Sequence, residues 1–373
     1  MNKYRFTAPC HFGLEKTLEF EVKKIGGEDI SVSDGRVSFS GTAETCAKAN
    51  VFLSTAERVY IVLGEFRAEN YDDIFAGIEK LPLSEFIGKN DAFPNNGHSI
   101  NSILTSIPAC QKRVKLAMAR NLGKAYGLER MPETGNECKI RFSIMKNIFS
   151  LYLDTSGEGL HKRGYRAISN AAPIRETLAA GIIDLARVRE GDLVCDPFCG
   201  SGTILIESAF KALNIAPGLK RRFAGEHLGF IPKSAWRNAR EEARSFIKND
   251  ADFCAVGFDI DPECVRLTLE NAEKAGVSRC ISASVRDIRD FSYPDKPTKI
   301  ITNPPYGERL LEQEQAREIY KIMGEKLISF GDNQLYAITS DDEFERLFGK
   351  KSDKNRKLYN GMLKARLYSY RHI

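Results

Sequence analysis

From residue 193 onwards, short continuous apolar runs alternate with helical patterns, and that alternation admits few folds. The apolar runs lie near 193–196, 255–259, 280–284, 299–302, 333–338, 355–359 and 362–369. Helical patterns fall near 173–186, 203–212, 233–249, 262–275, 312–329 and 341–348. A strand that reads apolar at every position is covered on both faces, and helices between such strands supply the cover. The expectation is an α/β domain with a doubly wound, mostly parallel sheet. Gly361, between the last two runs, predicts a terminal hairpin and so one antiparallel edge strand.

The first half reads differently. Strand-like segments at 3–8, 30–40 and 58–66 interleave with helical ones at 14–24 and 42–53, and Asp34-Gly35 marks a hairpin turn. This order predicts a ferredoxin-like α+β unit over 1–66. A second α+β unit follows over 67–157, and the polar, Gly-rich stretch 154–166 links it to a third domain over 158–373. Within the second unit, Pro108 opens a helix over 109–127. Val114, Met118, Leu122 and Ala125 share one face of it, while Arg113, Arg120 and Lys124 take the opposite one.

Composition narrows the classes. A length of 373 residues calls for two or three domains. No run approaches the ~18 apolar residues a membrane span needs, and the N-terminus has no signal-peptide core, so a cytoplasmic protein is expected. Nine cysteines without a Cys-x-x-Cys pair argue for reduced thiols, with no zinc site. Residues 1–160 are neutral, with 20 basic against 20 acidic side chains, so the net +5 lies beyond them. Residues 109–131 nevertheless hold six Lys/Arg against one Glu, and 350–373 hold eight against one Asp. Two such clusters make a polyanionic partner the expectation.

Two motifs carry chemistry. Asp196, Pro197, Phe198, Cys199, Gly200, Ser201, Gly202 and Thr203 form a loop between a strand-like run and a helix, where a doubly wound sheet binds ligands. Gly200 and Gly202 lack a Cβ, so the chain can turn tightly and a ligand can approach the backbone. A dinucleotide site would need a third Gly where Leu205 stands, and no Walker lysine follows. Asp259, ending the next strand beside Ile260, is placed to accept hydrogen bonds from a ribose diol. Asp261, with Pro262 after it, reads as a helix cap and is the reserve for that role. The 57 residues from Gly202 to Asp259 imply an insertion over 213–252 that contains the single Trp, Trp236. Asp287, beside Ile288, can reach an adenine amine or cap a turn.

The second motif is Asn303, Pro304, Pro305 and Tyr306, 107 residues after Asp196. An amine on an aromatic base is a poor nucleophile because its lone pair is delocalised into the ring. The Asn303 side-chain oxygen and the Pro304 carbonyl can each accept one N–H, which returns the nitrogen towards a tetrahedral shape. Two prolines fix the turn, and Tyr306 offers a ring for a base to stack on.

Together and in this order the two motifs resemble class I methyltransferases that use S-adenosyl-L-methionine to methylate exocyclic amines. Three further segments, Ile107–Lys115, Leu160–Arg166 and Ala172–Ala180, extend the likeness over nearly the whole chain. The chain resembles the RlmL-type family of THUMP domain-containing large-subunit (23S) ribosomal RNA guanine-N2 methyltransferases. The resemblance implies a ferredoxin-like unit, a THUMP RNA-binding domain and a Rossmann-like methyltransferase domain. It further implies catalysis by residues 303–306 and cofactor binding by 196–203, Asp259, Ile260, Asp287 and Ile288. RNA would be held by Lys112, Arg113, Lys115, Arg120, Lys124, Lys162, Arg163, Arg166 and Arg309, with no metal. Members with a second methyltransferase domain methylate twice; this chain is expected to methylate once. A DNA adenine-N6 methylase and a non-catalytic RNA-binding module are the alternatives.

Overall fold

A computed structural model describes residues 2–166, 174–305, 310–328, 331–360 and 363–371. The chain runs β1 (Tyr4–Pro9), α1 (Glu15–Lys24), β2 (Glu28–Ser33), β3 (Arg36–Gly41), α2 (Ala43–Phe52) and β4 (Tyr60–Arg67). There follow α3 (Tyr71–Glu79), β5 (Asn95–Ile100), α4 (Ile107–Tyr126), β6 (Ile140–Met145) and β7 (Ile148–Asp154). The strands make one sheet in the order β2-β3-β1-β4-β7-β6-β5. The four strands of the first unit stand in the ferredoxin-like order, and only β5 and β6 pair in parallel.

The two small units are therefore less separate than their sequences suggest. The expected boundary at residue 66 falls inside β4, which pairs with β1 on one edge and with β7 on the other. One apolar core runs beneath the whole sheet, from Phe6 and Phe39 to Phe142 and Phe149. In α4 the buried stripe comprises Cys110, Val114, Ala117, Met118 and Leu122. Ala125, expected on that face, is exposed in the last turn, and the stripe extends towards the N-terminus instead.

The second half contains α5 (Glu176–Leu185), β8 (Leu193–Asp196), α6 (Thr203–Ala212), α7 (Lys233–Ser245), β9 (Cys254–Asp259) and α8 (Pro262–Ala275). It continues with β10 (Ile281–Val285), β11 (Thr298–Thr302), α9 (Leu310–Leu327), β12 (Gln334–Thr339), α10 (Phe344–Phe348), β13 (Lys354–Asn360) and β14 (Leu363–Tyr370). Its sheet has the order β10-β9-β8-β11-β12-β14-β13, parallel from β10 through β12. The terminal hairpin is present, but the antiparallel strand is not at the edge. β14 inserts between β12 and β13 and runs against both, so its residues 365 and 367–370 are buried while β13 takes the rim. The short β8 is buried at all four positions because it lies centrally with helices on both faces.

The insertion between α6 and β9 locks the halves together. Phe223, Ile231, Ala235, Trp236 and Ala239 pack into the N-terminal core, with α7 laid against α2. In exchange, Leu14 joins the core of the second half, against Gly181 of α5.

Candidate active site

The carboxyl ends of β8, β9, β10 and β11 converge on a cavity of about 720 Å³. Its wall receives Asp196, Pro197, Phe198, Cys199, Gly200, Ser201 and Thr203 from the loop after β8. Asp259 and Ile260 come from the end of β9, Asp287 and Ile288 from beyond β10, and Asn303 and Pro305 from beyond β11. The topology thus gathers both motifs at the carboxyl end of the sheet, and of their described residues only Gly202 and Pro304 stay off the wall.

The two glycines do different work. Both have left-handed backbones, with φ of +52° at Gly200 and +81° at Gly202. A Cβ on Gly200 would meet nothing within 4 Å, so that position faces open cavity. A Cβ on Gly202 would come within 2.9 Å of the Thr268 methyl, so Gly202 is needed for α6 and α8 to pack closely. Hydrogen bonds from behind hold the loop. Cys199 N–H donates to the Phe258 carbonyl (2.8 Å), Thr268 Oγ1 to the Gly200 carbonyl (2.8 Å) and Asn271 Nδ2 to the Ser201 carbonyl (2.9 Å).

Asp259 is tied to the loop directly, because Gly200 N–H donates to its Oδ2 at 2.9 Å. Its Oδ1 accepts from Asp261 N–H at 3.0 Å. Each carboxylate oxygen has a second lone pair, so the half-buried Asp259 keeps acceptor capacity for a diol. Asp261 caps α8 by accepting from Glu263 N–H (2.9 Å), which is its alternative reading. Asp287 caps the turn 288–290 through Arg289 N–H (2.8 Å) and also lines the cavity. Ile260 is 68% exposed at the cavity wall, an apolar side chain placed to lie against a flat ring. A loop left open at Gly200, an acidic acceptor and an apolar flank fit an adenosine-bearing cofactor.

Another part of the cavity wall is built on the end of β11. Thr302 Oγ1 donates to Asp196 Oδ1 at 2.7 Å, joining the ends of β8 and β11. One residue on, Asn303 Oδ1 is buried and, among the described residues, has no hydrogen-bond partner. A buried amide oxygen left without a donor costs about 1–3 kcal/mol, and a donor brought by a ligand would fit that place. The proline turn after it is held by Tyr320 of α9, whose hydroxyl donates to the Pro305 carbonyl (3.1 Å) and bonds Thr339 Oγ1 (2.8 Å). Tyr306 and Arg309 lie outside the described residues.

Sequence reasoning missed several wall residues. Gln315, Glu318, Ile319 and Ile322 of α9 line the cavity, as do Arg286, Arg289 and Ile174. The spacing of the α9 residues is one helix face, so that signal was available. Arg286, stacked over the Phe258 ring at 4.2 Å, had none.

The basic residues are dispersed. Arg113 pairs with Asp72, and Arg120 and Lys124 both pair with Glu79, so the polar face of α4 is met by acids of the neighbouring α3. Lys115 pairs with Glu133 and Lys162 with Glu158, while Lys112 is exposed. Arg163 is not a surface contact. It is 5% exposed, pairs with buried Glu207 at 3.3 Å and donates to the Leu160 and Ser54 carbonyls (2.7 and 2.6 Å). Arg166 is largely buried too, bonding Thr203 Oγ1 at the start of α6 and lying 3.5 Å from Glu176. Both arginines are held between elements by carboxylates that the sequence placed on unrelated helices. Among the described residues no helix is long and apolar enough to cross a membrane.

Comparison with known proteins agrees with this geometry. Residues 163–369 match the RMKL-like methyltransferase domain and residues 5–60 the RlmL ferredoxin-like domain. The chain is 38% identical to YpsC of Bacillus subtilis, named as a candidate RNA methyltransferase, over 99% of this chain and 96% of that one. It is 32% identical to the ribosomal RNA large subunit methyltransferase K/L of Psychromonas ingrahamii, over 97% of this chain but 49% of the relative, so it spans about half of that protein. Among solved structures, SMU.472, titled a methyltransferase complexed with SAH, superposes with a TM-score of 0.93 at 35% identity, covering 100% of this chain and 99% of that one. The match over more than half its length, seated on a cavity built for such a cofactor, places the chain in the RMKL-like methyltransferase family.

Proposed function

We propose that this chain transfers one methyl group to the N2 amine of a guanine in large-subunit ribosomal RNA. The cofactor is S-adenosyl-L-methionine, which when bound supplies an electrophilic methyl group on its sulfonium. The single observation that carries the reading is the buried Asn303 Oδ1, unpartnered among the described residues, on the wall of the cavity that the cofactor loop forms.

The chain's own residues supply position. Asp196–Thr203 with Asp259 and Ile260 would hold the cofactor, and Asp287 and Ile288 would border its base. Asn303 Oδ1 accepts one amine N–H and the Pro304 carbonyl the other, which turns the nitrogen lone pair out of the ring plane. Tyr320 keeps the turn from rotating by holding the Pro305 carbonyl. A fixed near-attack geometry of this kind lowers the barrier without a strong base. In the same reading Tyr306 stacks the flipped base, residues 67–157 act as a THUMP domain and the protein works in the cytoplasm. Lys112, Arg113, Lys115, Arg120, Lys124 and Lys162 contribute phosphate contacts together with Arg309, since exposed ion pairs are worth ~0–1 kcal/mol and exchange partners readily.

The decisive experiment is a mass-spectrometric comparison of ribosomal RNA nucleosides from cells with and without the protein. Loss of one N2-methylguanosine, restored by the wild-type chain but not by Asn303→Ala, is expected. Unchanged ribosomal RNA together with lost N6-methyladenine in DNA would establish the adenine methylase alternative instead.

A further inference from the structure

Helix α7, on the insertion that joins the two cores, carries basic side chains at positions 233, 237, 240 and 244. This spacing, i, i+4, i+7 and i+11, puts all four on one stripe about 16 Å long. The opposite face, Ala235, Ala239 and Ala243, is buried, with α7 packed against α2. The stripe borders a groove of about 440 Å³ whose lining holds Lys233, Arg237, Arg240 and Arg244 against one carboxylate, Glu226.

Two features separate this groove from an ordinary solvated face. The first is its lack of neutralisation. Arg240 is fixed by Glu226 at 2.6 Å and by the Arg221 carbonyl at 2.9 Å. Among the described residues Arg237 has only Glu241 at 4.0 Å, and Lys233 and Arg244 pair with no carboxylate. On α4, by contrast, Asp72, Glu79 and Glu133 answer four cations. The second is Trp236, which also lines the groove. It is 2% exposed, stacked on Phe223 at 5.4 Å, and among the described residues its indole N–H has no acceptor. A donor left unsatisfied beside a row of cations is the chemistry of an anion site.

We propose that the α7 groove binds the sugar–phosphate backbone of the RNA substrate. The inference rests on the reading of RNA as substrate and adds where much of that RNA is held. The site lies at the seam of the halves, since Gly225 N–H, next to Glu226, donates to the Thr155 carbonyl just beyond β7. Contacts to phosphate position an RNA without reading its sequence.

Trp236 is the only tryptophan in the chain, so its emission reports on the groove. Full-length protein is titrated with a large-subunit ribosomal RNA fragment, following both tryptophan emission and filter-retained RNA across a salt series. Binding that changes the emission is expected, and Arg237→Ala with Arg244→Ala should flatten the slope of log K against log salt by about 1.4, two contacts' worth for a single strand. Affinity of that variant for S-adenosylhomocysteine should equal the parent's, which shows that the fold is intact. If the parent binds RNA yet the variant's slope and affinity match it and the emission stays constant, the groove is not the site. If the parent binds the cofactor product but no RNA, the RNA reading falls, and the groove inference with it.

Discussion

Thr302 and Asp196 are 106 residues apart in sequence and 2.7 Å apart in space, the threonine hydroxyl donating to a carboxylate that is 2% exposed. This bond sits between the glycine loop after β8 and Asn303, the residue proposed to orient the amine, so a shift in either strand end is felt by both. Burial pushes the Asp196 carboxyl up to about 7, against the opposing hydrogen bonds from Thr302 and Phe198 N–H.

The pH dependence follows from that shift. Between the ordinary carboxylate range and pH 7 the folded state holds a proton on Asp196 that the unfolded chain has released. The associated stability is present at low pH and lost as pH rises towards 7, with no further change above it. Asp196→Asn has no carboxyl to bind that proton. Urea unfolding of both proteins at pH 5 and pH 8 should show the wild type losing more stability over that interval than the variant; equal losses would disprove the assignment.

Gly200→Ala and Gly202→Ala should separate binding from folding. Each places a Cβ on a left-handed backbone, at about 1–2 kcal/mol. Only the second also meets Thr268, so its Tm should fall further. Only the first puts a methyl group into the cavity, so calorimetry with S-adenosylmethionine should show the greater loss of affinity there. A larger Tm drop for Gly200→Ala would contradict the division of labour.

Asn303→Ala removes the acceptor proposed to act on the amine and not on the cofactor. The expected result is kcat lowered about a hundredfold or more with cofactor affinity retained, the scale seen when one oriented polar group is deleted from an active site. Near-normal turnover would sink the mechanism.

Arg163→Ala tests a structural role. It leaves Glu207 buried beside Tyr165 without its cation, which should cost about 3–5 kcal/mol. Denaturant titration measures this directly. A stable variant with weakened RNA binding would return Arg163 to the surface role that its sequence neighbourhood suggested.

The cavity that forms the candidate site was largely legible in the sequence because it is built from backbone geometry. Gly200, Asp259, Asn303 and Pro305 lie at strand ends, and a doubly wound sheet brings strand ends together whatever the loops between them. The alternation of apolar runs therefore determined the second half, its hairpin and the place of the cavity. Tertiary structure alone decided the rest, because it depends on which charges meet. Nothing local distinguishes Arg163, which a buried Glu207 holds inside, from Lys162, which stays in water. Nor could the helical pattern at 109–127 reveal that α3 would present Asp72 and Glu79 to its basic face, while the similar stripe on α7 meets one fixed carboxylate. The register of β4, shared between β1 and β7, likewise made one sheet of what reads as two units, because a strand has two edges and sequence does not say what will cover the second.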